Sequence, residues 1–505
     1  MPDALTIPEL LAHGADQWPD VVWCRTPDES VTRAEVYVQA RRCAGGLAHR
    51  GIDQGDHVVI VLPNGIDFLR AWFAIAIRGA IAISVNPAAA PSELAAVVAE
   101  TSAKLIIGET GTSSGSDIAH TDVATLLQFA EIDPASLALD QPATYIQTSG
   151  STGTPKFVIE THAMYTMAAE GYPYWLGLSA DDVVLTTLPL SHLNAQAYSV
   201  LGSYCCGAQL ILLPKFSASQ FWQQVNVYRA TVFNAIGAML EMLMTREPHP
   251  DEQRHSLRYC YSAPAPTPTR HQEIEDRFGC RLVIGYALSE TPYGLITPVT
   301  EAVTYGSMGR PRQHPRMGAI NHARIIDEQG ADVAVGDTGE LILKNPALTP
   351  GYYGRPEESR ALRTRGWLHT GDLAYADADG NYYFAGRRKE IIRRRGENLS
   401  PADVETVLDA HPAVSSSAVI GVPSPLTEED IKAFIMLKPG HAATADDLAR
   451  WCRDRLPPYK QPRFIEFVDA WPLTETQKIA KRELPRDRNP AETDLESRIP
   501  TAQNT

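Results

Sequence analysis

The sequence predicts an α/β protein: a large N-terminal part of layered α/β subdomains, then a small α+β unit. Three observations carry this expectation. Short apolar runs alternate with amphipathic stretches through the first two-thirds of the chain, a cationic break stands at Arg387-Arg388-Lys389, and a fresh series of helices and strands follows it. At 505 residues the chain is long enough to build more than one core.

The elements can be justified in order. Val58-Val59-Ile60-Val61-Leu62 reads as a buried strand, residues 68–78 as the helix after it, and Ile81-Ala82-Ile83-Ser84-Val85 as a second strand closed by the turn signal Asn86-Pro87. Residues 104–107, 210–213 and 281–284 continue the strand series, and strand–helix–strand order implies largely parallel sheets. Asp377-Ala378-Asp379-Gly380 marks a hairpin turn ahead of the strand Tyr382-Tyr383-Phe384. Beyond the cationic break, residues 401–408 and 444–456 read as helices, and 417–422 and 431–437 as strands. Together they make a unit of about 115 residues, a plausible small domain. Residues 486–505 are poor in apolar side chains and are expected to form a frayed tail.

Composition narrows the function. Apolar content of 44% and charged content of 21% are those of an ordinary globular protein. A net charge of -15, from 45 basic and 60 acidic side chains, argues against general nucleic-acid binding. No apolar run approaches the ~18 residues that suggest a membrane helix. The opening Met1-Pro2-Asp3-Ala4 lacks a basic segment followed by an apolar one. The cysteines, at 24, 43, 205, 206, 260, 280 and 452, show no C-x-x-C spacing and are expected to be reduced and mostly buried. A cytoplasmic protein with no membrane partner is the resulting expectation.

The most informative segment is Thr148-Ser149-Gly150-Ser151-Thr152-Gly153-Thr154-Pro155-Lys156. Glycines let a backbone fold around an anion, and hydroxyls, N–H groups and a cation can then hold phosphate oxygens. The spacing is not that of the P-loop ATPases, because Lys156 follows Gly153 by three positions instead of directly. Alone, such a run would be a solvated loop. Five further segments follow in order: Gly285-Tyr286-Ala287-Leu288-Ser289-Glu290, Thr338-Gly339-Glu340-Leu341, His369-Thr370-Gly371-Asp372-Leu373, Gly386-Arg387-Arg388-Lys389-Glu390 continuing to Gly396-Glu397-Asn398-Leu399-Ser400-Pro401, and Pro472-Leu473-Thr474-Glu475-Thr476-Gln477-Lys478-Ile479. Six segments in this order resemble the adenylate-forming superfamily of acyl- and aryl-CoA synthetases, nonribosomal-peptide adenylation domains and firefly luciferase. The likeness covers nearly the whole chain.

The resemblance implies ATP, Mg²⁺ and coenzyme A as cofactors and a small-molecule carboxylic acid as substrate. It implies an N-terminal adenylation domain over residues 1–388 and a mobile C-terminal lid over 389–505, hinged at Lys389. Thr148, Ser149, Gly150, Ser151, Thr152, Gly153 and Lys156 would hold the β- and γ-phosphates. Glu290 would coordinate Mg²⁺; from the residues alone the other reading is an acid at a helix start after Ser289. Tyr286 would stack on adenine beside the segment through Ala263 and Ala265, and Ser289 would offer its hydroxyl to the α-phosphate. Asp372 would accept from the ribose hydroxyls, and Arg387 would approach the ribose and phosphates. Lys478 would bridge the substrate carboxylate and ATP oxygens. His192 would sit between the acyl pocket and the CoA tunnel, with Asn194, Asn234, Ala235 and Gly237 as pocket walls, and Gly396 beside Arg395 would line that tunnel.

The chain departs from the family pattern at Phe157, Ala287 and Gln477, where glycine is usual, and at Arg395, where a small residue is usual. These departures leave adenylation expected and bear most on the thioester step. The stretch Leu188-Pro189-Leu190-Ser191-His192-Leu193-Asn194 carries no acid to pair a substrate ammonium, which is similar to the acyl-CoA synthetase branch and, overall, to crotonobetaine/carnitine-CoA ligase-like enzymes. The expected activity is an ATP-dependent acid:CoA ligase. The alternatives are an adenylating enzyme that passes its acyl group to an amine or a carrier protein, a non-catalytic nucleotide-binding relative, and a luciferase-type oxygenase that shares the first step.

Overall fold

The computed structural model describes residues 5–109, 118–148, 156–394, 397–424, 429–473 and 479–495. Among these, the large N-terminal domain is built on two mostly parallel sheets. The six-stranded sheet runs Ala119–Thr121, Leu105–Gly108, His57–Val61, Ile81–Ser84, Pro142–Thr148 in parallel, and Lys156–Thr161 turns back antiparallel at its edge. The nine-stranded sheet has a parallel middle of Val22–Arg25, Gln209–Leu212, Val183–Thr186, Val232–Asn234, Tyr259–Ser262 and Arg281–Leu288, with antiparallel strands at both edges.

The helix Ile66–Arg78 is buried from Phe68 to Ile77. A helix that is apolar on all sides belongs inside a protein, and here Trp72 and Phe73 join Trp23, Tyr165 and Phe233 in one core cluster spanning both sheets. Each large apolar side chain buried in this way contributes about 1.5–3 kcal/mol. Most expected strands appear within a residue or two of their places; the one expected at 281–284 continues to Leu288, that at 382–384 to Arg387, and that at 417–422 begins at Val414. Of the cysteines, Cys24, Cys43, Cys205, Cys260 and Cys452 are buried, and all seven are free thiols. No helix among the described residues is long and apolar enough to cross a membrane.

A third, antiparallel sheet joins His322–Ile326, Gly339–Lys344, Arg363–Thr364, Trp367–Ala376 and Tyr382–Arg387. The smaller C-terminal domain packs the helices Pro401–Asp409 and Ala445–Arg453 on a sheet of Val414–Pro423, Glu429–Leu437, Phe464–Phe467 and Glu492–Asp494. Its core holds Val404, Leu408, Val419, Ile431, Ile435 and Leu448. The strand Glu492–Asp494 corrects the expected frayed tail. It pairs antiparallel with Phe464–Phe467 and is held by charge: buried Lys432 meets Glu492 at 2.9 Å, and Arg463 meets Asp494 at 3.3 Å. Counting apolar residues could not find a strand held by ion pairs.

Two features steady the elements nearest the site. Arg312 is 1% exposed and caged by acceptors: its guanidinium donates to the Tyr198 and Tyr261 hydroxyls at 2.6 Å and to the Pro292 and Leu295 carbonyls at 2.7 and 3.1 Å, over the Trp175 ring at 4.5 Å. This ties the hairpin Arg281–Ile296 to the interior. At Gly386, with φ +122°, a Cβ would stand 2.0 Å from the Ser400 hydroxyl. Glycine is therefore what lets the strand Tyr382–Arg387 lie against the start of the first C-terminal helix.

Asp409 yields a pH test. One of its carboxyl oxygens is buried without a hydrogen-bond partner, and burial, opposed by Ser417 and reinforced by Glu405 and Glu241, raises its pKa from 3.8 to about 7. A raised acid holds its proton longer in the folded state, so stability falls as pH climbs from about 4 to about 7 and then levels off. Asp409→Asn removes that loss. Urea unfolding of the full chain should show no difference from wild type near pH 4 and a gain on the order of 2–4 kcal/mol at pH 8. A gain that is the same at both pH values would contradict the assignment.

Candidate active site

The strands Pro142–Thr148 and Lys156–Thr161 form an antiparallel pair rich in β-branched and aromatic residues, and Thr148 and Lys156 are its last register partners. The Thr148 hydroxyl donates to the Lys156 carbonyl at 3.4 Å. Between them, Ser149, Gly150, Ser151, Thr152 and Gly153 lie outside the described residues. The other edge of Lys156–Thr161 is covered by residues 349–353. The Ile159 N–H donates to the Gly351 carbonyl at 3.0 Å, the Tyr353 N–H to the Phe157 carbonyl at 2.9 Å, and the Thr349 hydroxyl to the Ile159 carbonyl at 2.6 Å. The Thr349 N–H donates in turn to the Glu290 carbonyl at 2.9 Å. Lys156 and Glu290, distant in sequence, thus share one hydrogen-bonded frame.

Glu290, with Ser289, occupies the tight turn between Arg281–Leu288 and Thr291–Ile296. The helix-start reading is therefore corrected: the chain turns back on itself as a hairpin here. The Tyr352 hydroxyl donates to Glu290 Oε1 at 2.7 Å. Lys156 Nζ lies 4.9 Å from the centre of the Tyr352 ring and is ion-paired with Glu358. Burial, and then the Glu290 charge, raise the Tyr352 phenol, which stays a donor. A second acid is close. Glu160, opposite Thr144 on the same strand pair, is fully buried, and neither of its carboxyl oxygens has a hydrogen-bond partner. Burial first, and the nearby Glu290 second, push it well above the usual carboxylate range, so it is held as the neutral acid.

Tyr286, Asp372 and Arg387 come together from three strands. The Tyr286 hydroxyl donates to Asp372 Oδ2 at 2.7 Å, and Arg387 Nε lies 3.3 Å from Asp372 Oδ1 across a register pair. A Cβ at Gly294 would stand 2.0 Å from the Tyr286 carbonyl oxygen, so glycine allows the return strand to pass there. Ala263 and Ala265 lie in the segment before the helix Pro268–Phe278. The Gly237 N–H donates to the Ala263 carbonyl at 3.1 Å, and Ala265 packs with Tyr286 against one apolar cluster.

The expected acyl-pocket residues divide in two. His192 is half-buried on the loop entering the π-helix Asn194–Gly202, and Asn194, also half-buried, opens that helix with its Oδ1 buried without a partner. Gly237, half-buried, opens the helix Gly237–Met244. Asn234 and Ala235 are fully buried. The Asn234 amide donates to the Ser199 hydroxyl at 2.9 Å and accepts from the Tyr172 hydroxyl, so it is committed to the core behind the surface.

Lys389 is exposed in the 3₁₀ turn Arg388–Glu390. Lys478, Arg395 and Gly396 lie outside the described residues. The nearest described cation after Lys478 is Lys481, which meets Glu405 at 2.7 Å and Glu390, beside the turn, at 3.4 Å.

Several residues of this region escaped sequence reasoning. Tyr352 and Glu358 had a signal in Gly351-Tyr352-Tyr353 and Pro356-Glu357-Glu358, an aromatic turn followed by a helix start. Asn64 clamps the His192 loop by donating to the Leu188 carbonyl at 2.9 Å and accepting from the Leu190 N–H at 2.9 Å. Glu340 accepts from the Gly371 N–H and lies 3.2 Å from both His369 and Arg388, which joins the Asp372 strand to the 3₁₀ turn Arg388–Glu390. Glu160 carried no signal, since strand position alone does not reveal a buried acid.

Residues 11–353 match the family model described as AMP-binding enzyme, and residues 403–478 match that of the AMP-binding enzyme C-terminal domain. The crotonobetaine/carnitine–CoA ligase of Citrobacter koseri is 32% identical over 490 residues, which cover 89% of this chain and 92% of that protein. A benzoate CoA ligase from Burkholderia xenovorans has the same fold with a TM-score of 0.87 at 25% identity, covering 96% of this chain and 100% of that one. The O-succinylbenzoate coenzyme A synthetase of Bacillus subtilis, solved with ATP and a magnesium ion, gives a TM-score of 0.83 at 26% identity over 94% and 98% of the two chains. With both family models matched in order and the fold shared along nearly its whole length, the chain belongs to the AMP-binding enzyme family, the adenylate-forming superfamily.

Proposed function

We propose that this protein activates a carboxylic acid with ATP through an acyl-adenylate and then transfers the acyl group to coenzyme A. In the first half-reaction a carboxylate oxygen attacks the α-phosphorus of ATP and pyrophosphate leaves. Two anions must meet, so the site has to supply cations and oriented donors where charge develops. Lys156, with Thr148 and the hydroxyls and N–H groups of Ser149, Gly150, Ser151, Thr152 and Gly153, holds the departing phosphates. Tyr286, with the Ala263–Ala265 segment, takes the adenine. Asp372, oriented by Tyr286 and Arg387, accepts from the ribose hydroxyls, and Ser289 faces the α-phosphate. Lys478 brings its cation to the carboxylate and the α-phosphate.

Mg²⁺ fits the residues present: among the described residues no cluster of three or more His, Cys, Asp or Glu exists to hold a metal outright, and a single carboxylate, Glu290, suits a hard ion that keeps water and phosphate oxygens as its other ligands. When bound, it supplies charge neutralisation across the phosphate oxygens.

In the second half-reaction the lid, residues 389–505, turns about Lys389. The CoA thiol then attacks the acyl carbon and AMP leaves. Gly396 and Arg395 line the entry of the pantetheine arm, and His192 with Asn194 and Gly237 faces the acyl group. The observation that carries the reading is the single frame joining Lys156, Tyr352 and Glu290, with Tyr286, Asp372 and Arg387 assembled from separate segments. The CoA-ligase relatives favour CoA over an amine or a carrier protein as acceptor. A pyrophosphate-release screen over short aliphatic, betaine-type and aromatic acids, with and without CoA, names the acid. A non-catalytic nucleotide binder would release no pyrophosphate with any acid.

Two variants separate the half-reactions. Lys478→Ala should lower acyl-AMP formation at least about a hundredfold while leaving conversion of supplied acyl-AMP to acyl-CoA nearly intact, and equal loss in both would sink the role. Gly396→Leu should do the reverse, blocking thioester formation and sparing pyrophosphate release, because bulk there matters only after the lid turns. Loss of pyrophosphate release in Gly396→Leu would place the glycine elsewhere.

A further inference from the structure

The phosphate end of the site contains two residues that the expected roles do not use. Tyr352 touches both expected players: its hydroxyl donates to Glu290 Oε1 at 2.7 Å, and its ring carries the Lys156 ammonium at 4.9 Å. The residue is fixed by the antiparallel bridge Val158↔Tyr352 and by the Ser359 hydroxyl, which accepts from its N–H at 2.8 Å. Glu358, on the helix Pro356–Ala361, forms the ion pair with Lys156. The Lys156 side chain is 13% exposed in this arrangement and that of Glu358 is 38% exposed. Glu358 also has a second cation: Arg355 lies 3.4 Å away and reaches on to Glu100 at 3.2 Å.

We propose that Glu358 and Tyr352 are positioning residues for the polyphosphate: Glu358 holds Lys156 in place of phosphate and yields it when phosphate arrives, and Tyr352 fixes the Glu290 carboxylate through its hydroxyl. The inference rests on the reading of Lys156 as a phosphate ligand and Glu290 as a metal ligand. The chemistry follows from the contacts. An ammonium ion-paired to a carboxylate and laid on an aromatic face is kept near the site without nucleotide, and a more highly charged polyphosphate outcompetes one carboxylate for it. Arg355 remains beside Glu358, so releasing Lys156 leaves no isolated anion. A carboxylate whose one oxygen is held by a neutral donor keeps its orientation and its full charge for a metal.

Calorimetric titration with inorganic pyrophosphate, without metal and at fixed ionic strength, tests the first part. Glu358→Gln should bind pyrophosphate about three- to tenfold more tightly than wild type, since a competing anion is gone. Lys156→Met should bind it more weakly, and adding Glu358→Gln to Lys156→Met should then change nothing. Unchanged or weaker binding in Glu358→Gln overturns the holding role. Unchanged binding in Lys156→Met would instead remove the phosphate reading of Lys156 on which the inference rests.

Titration with ATP, with and without Mg²⁺, tests the second part. Tyr352→Phe keeps the ring and loses only the hydroxyl, and should weaken Mg²⁺-dependent ATP binding about threefold to thirtyfold while metal-free binding stays as in wild type. Equal shifts with and without Mg²⁺, or none, overturn the orienting role. Glu290→Gln serves as the control: if it does not weaken Mg²⁺-dependent binding, the metal reading of Glu290 fails, whatever Tyr352 does.

Discussion

The strand Lys156–Thr161 is the constraint on which the rest of the site depends. It is paired on one edge by Pro142–Thr148 and on the other by residues 351–353. A strand bonded on both edges cannot slip, because a shift of one residue would turn every side chain to the opposite face. Phe157 and Ile159 face one apolar cluster, while Glu160 lies on the opposite face, across from Thr144. The same face carries Lys156, two pairs of residues earlier. The register that buries Phe157 therefore also aims Lys156 at Tyr352 and sets it in one frame with the Glu290 turn.

Charge is distributed around this frame with care for burial. Glu160, without a partner and fully enclosed, is held neutral, whereas Glu358 lies nearer solvent and is held below the usual carboxylate range by Lys156 and then Arg355. Farther off, Glu340 links the Gly371 N–H, His369 and Arg388. It connects the strand that presents Asp372 to the turn that holds Lys389. Lys481, between Glu405 and Glu390, ties the segment following Lys478 to that turn. The contacts that position the body's acids thus continue into those around the turn Arg388–Glu390.

Much of the fold was legible in the sequence because parallel strands buried on both faces leave long apolar runs, as at Val58 to Leu62, and because the turn at Asp377 to Gly380 uses residues that only a turn favours. What escaped had no such signature. The strand Glu492–Asp494 is held by Lys432, Arg463 and Arg488, so it looks like tail by composition. The turn at Ser289-Glu290 could be taken for a helix start, since an acid after a serine serves either geometry. The motifs around Tyr286, Asp372 and Arg387 pointed to residues that do meet in space, but periodicity could not reveal the partners that orient them. Tyr352, Glu358 and Asn64 act through contacts between distant segments, and a single sequence does not display those.

The central claim is that the acid's own oxygen attacks the α-phosphorus of ATP. Its most direct test uses a substrate acid labelled with ¹⁸O in the carboxylate, incubated with the enzyme, Mg²⁺, ATP and coenzyme A, with the products read by mass spectrometry. One labelled oxygen should appear in AMP, and the acyl-CoA should retain the other. Label in inorganic phosphate with ADP as the nucleotide product, or AMP free of label, would contradict the account.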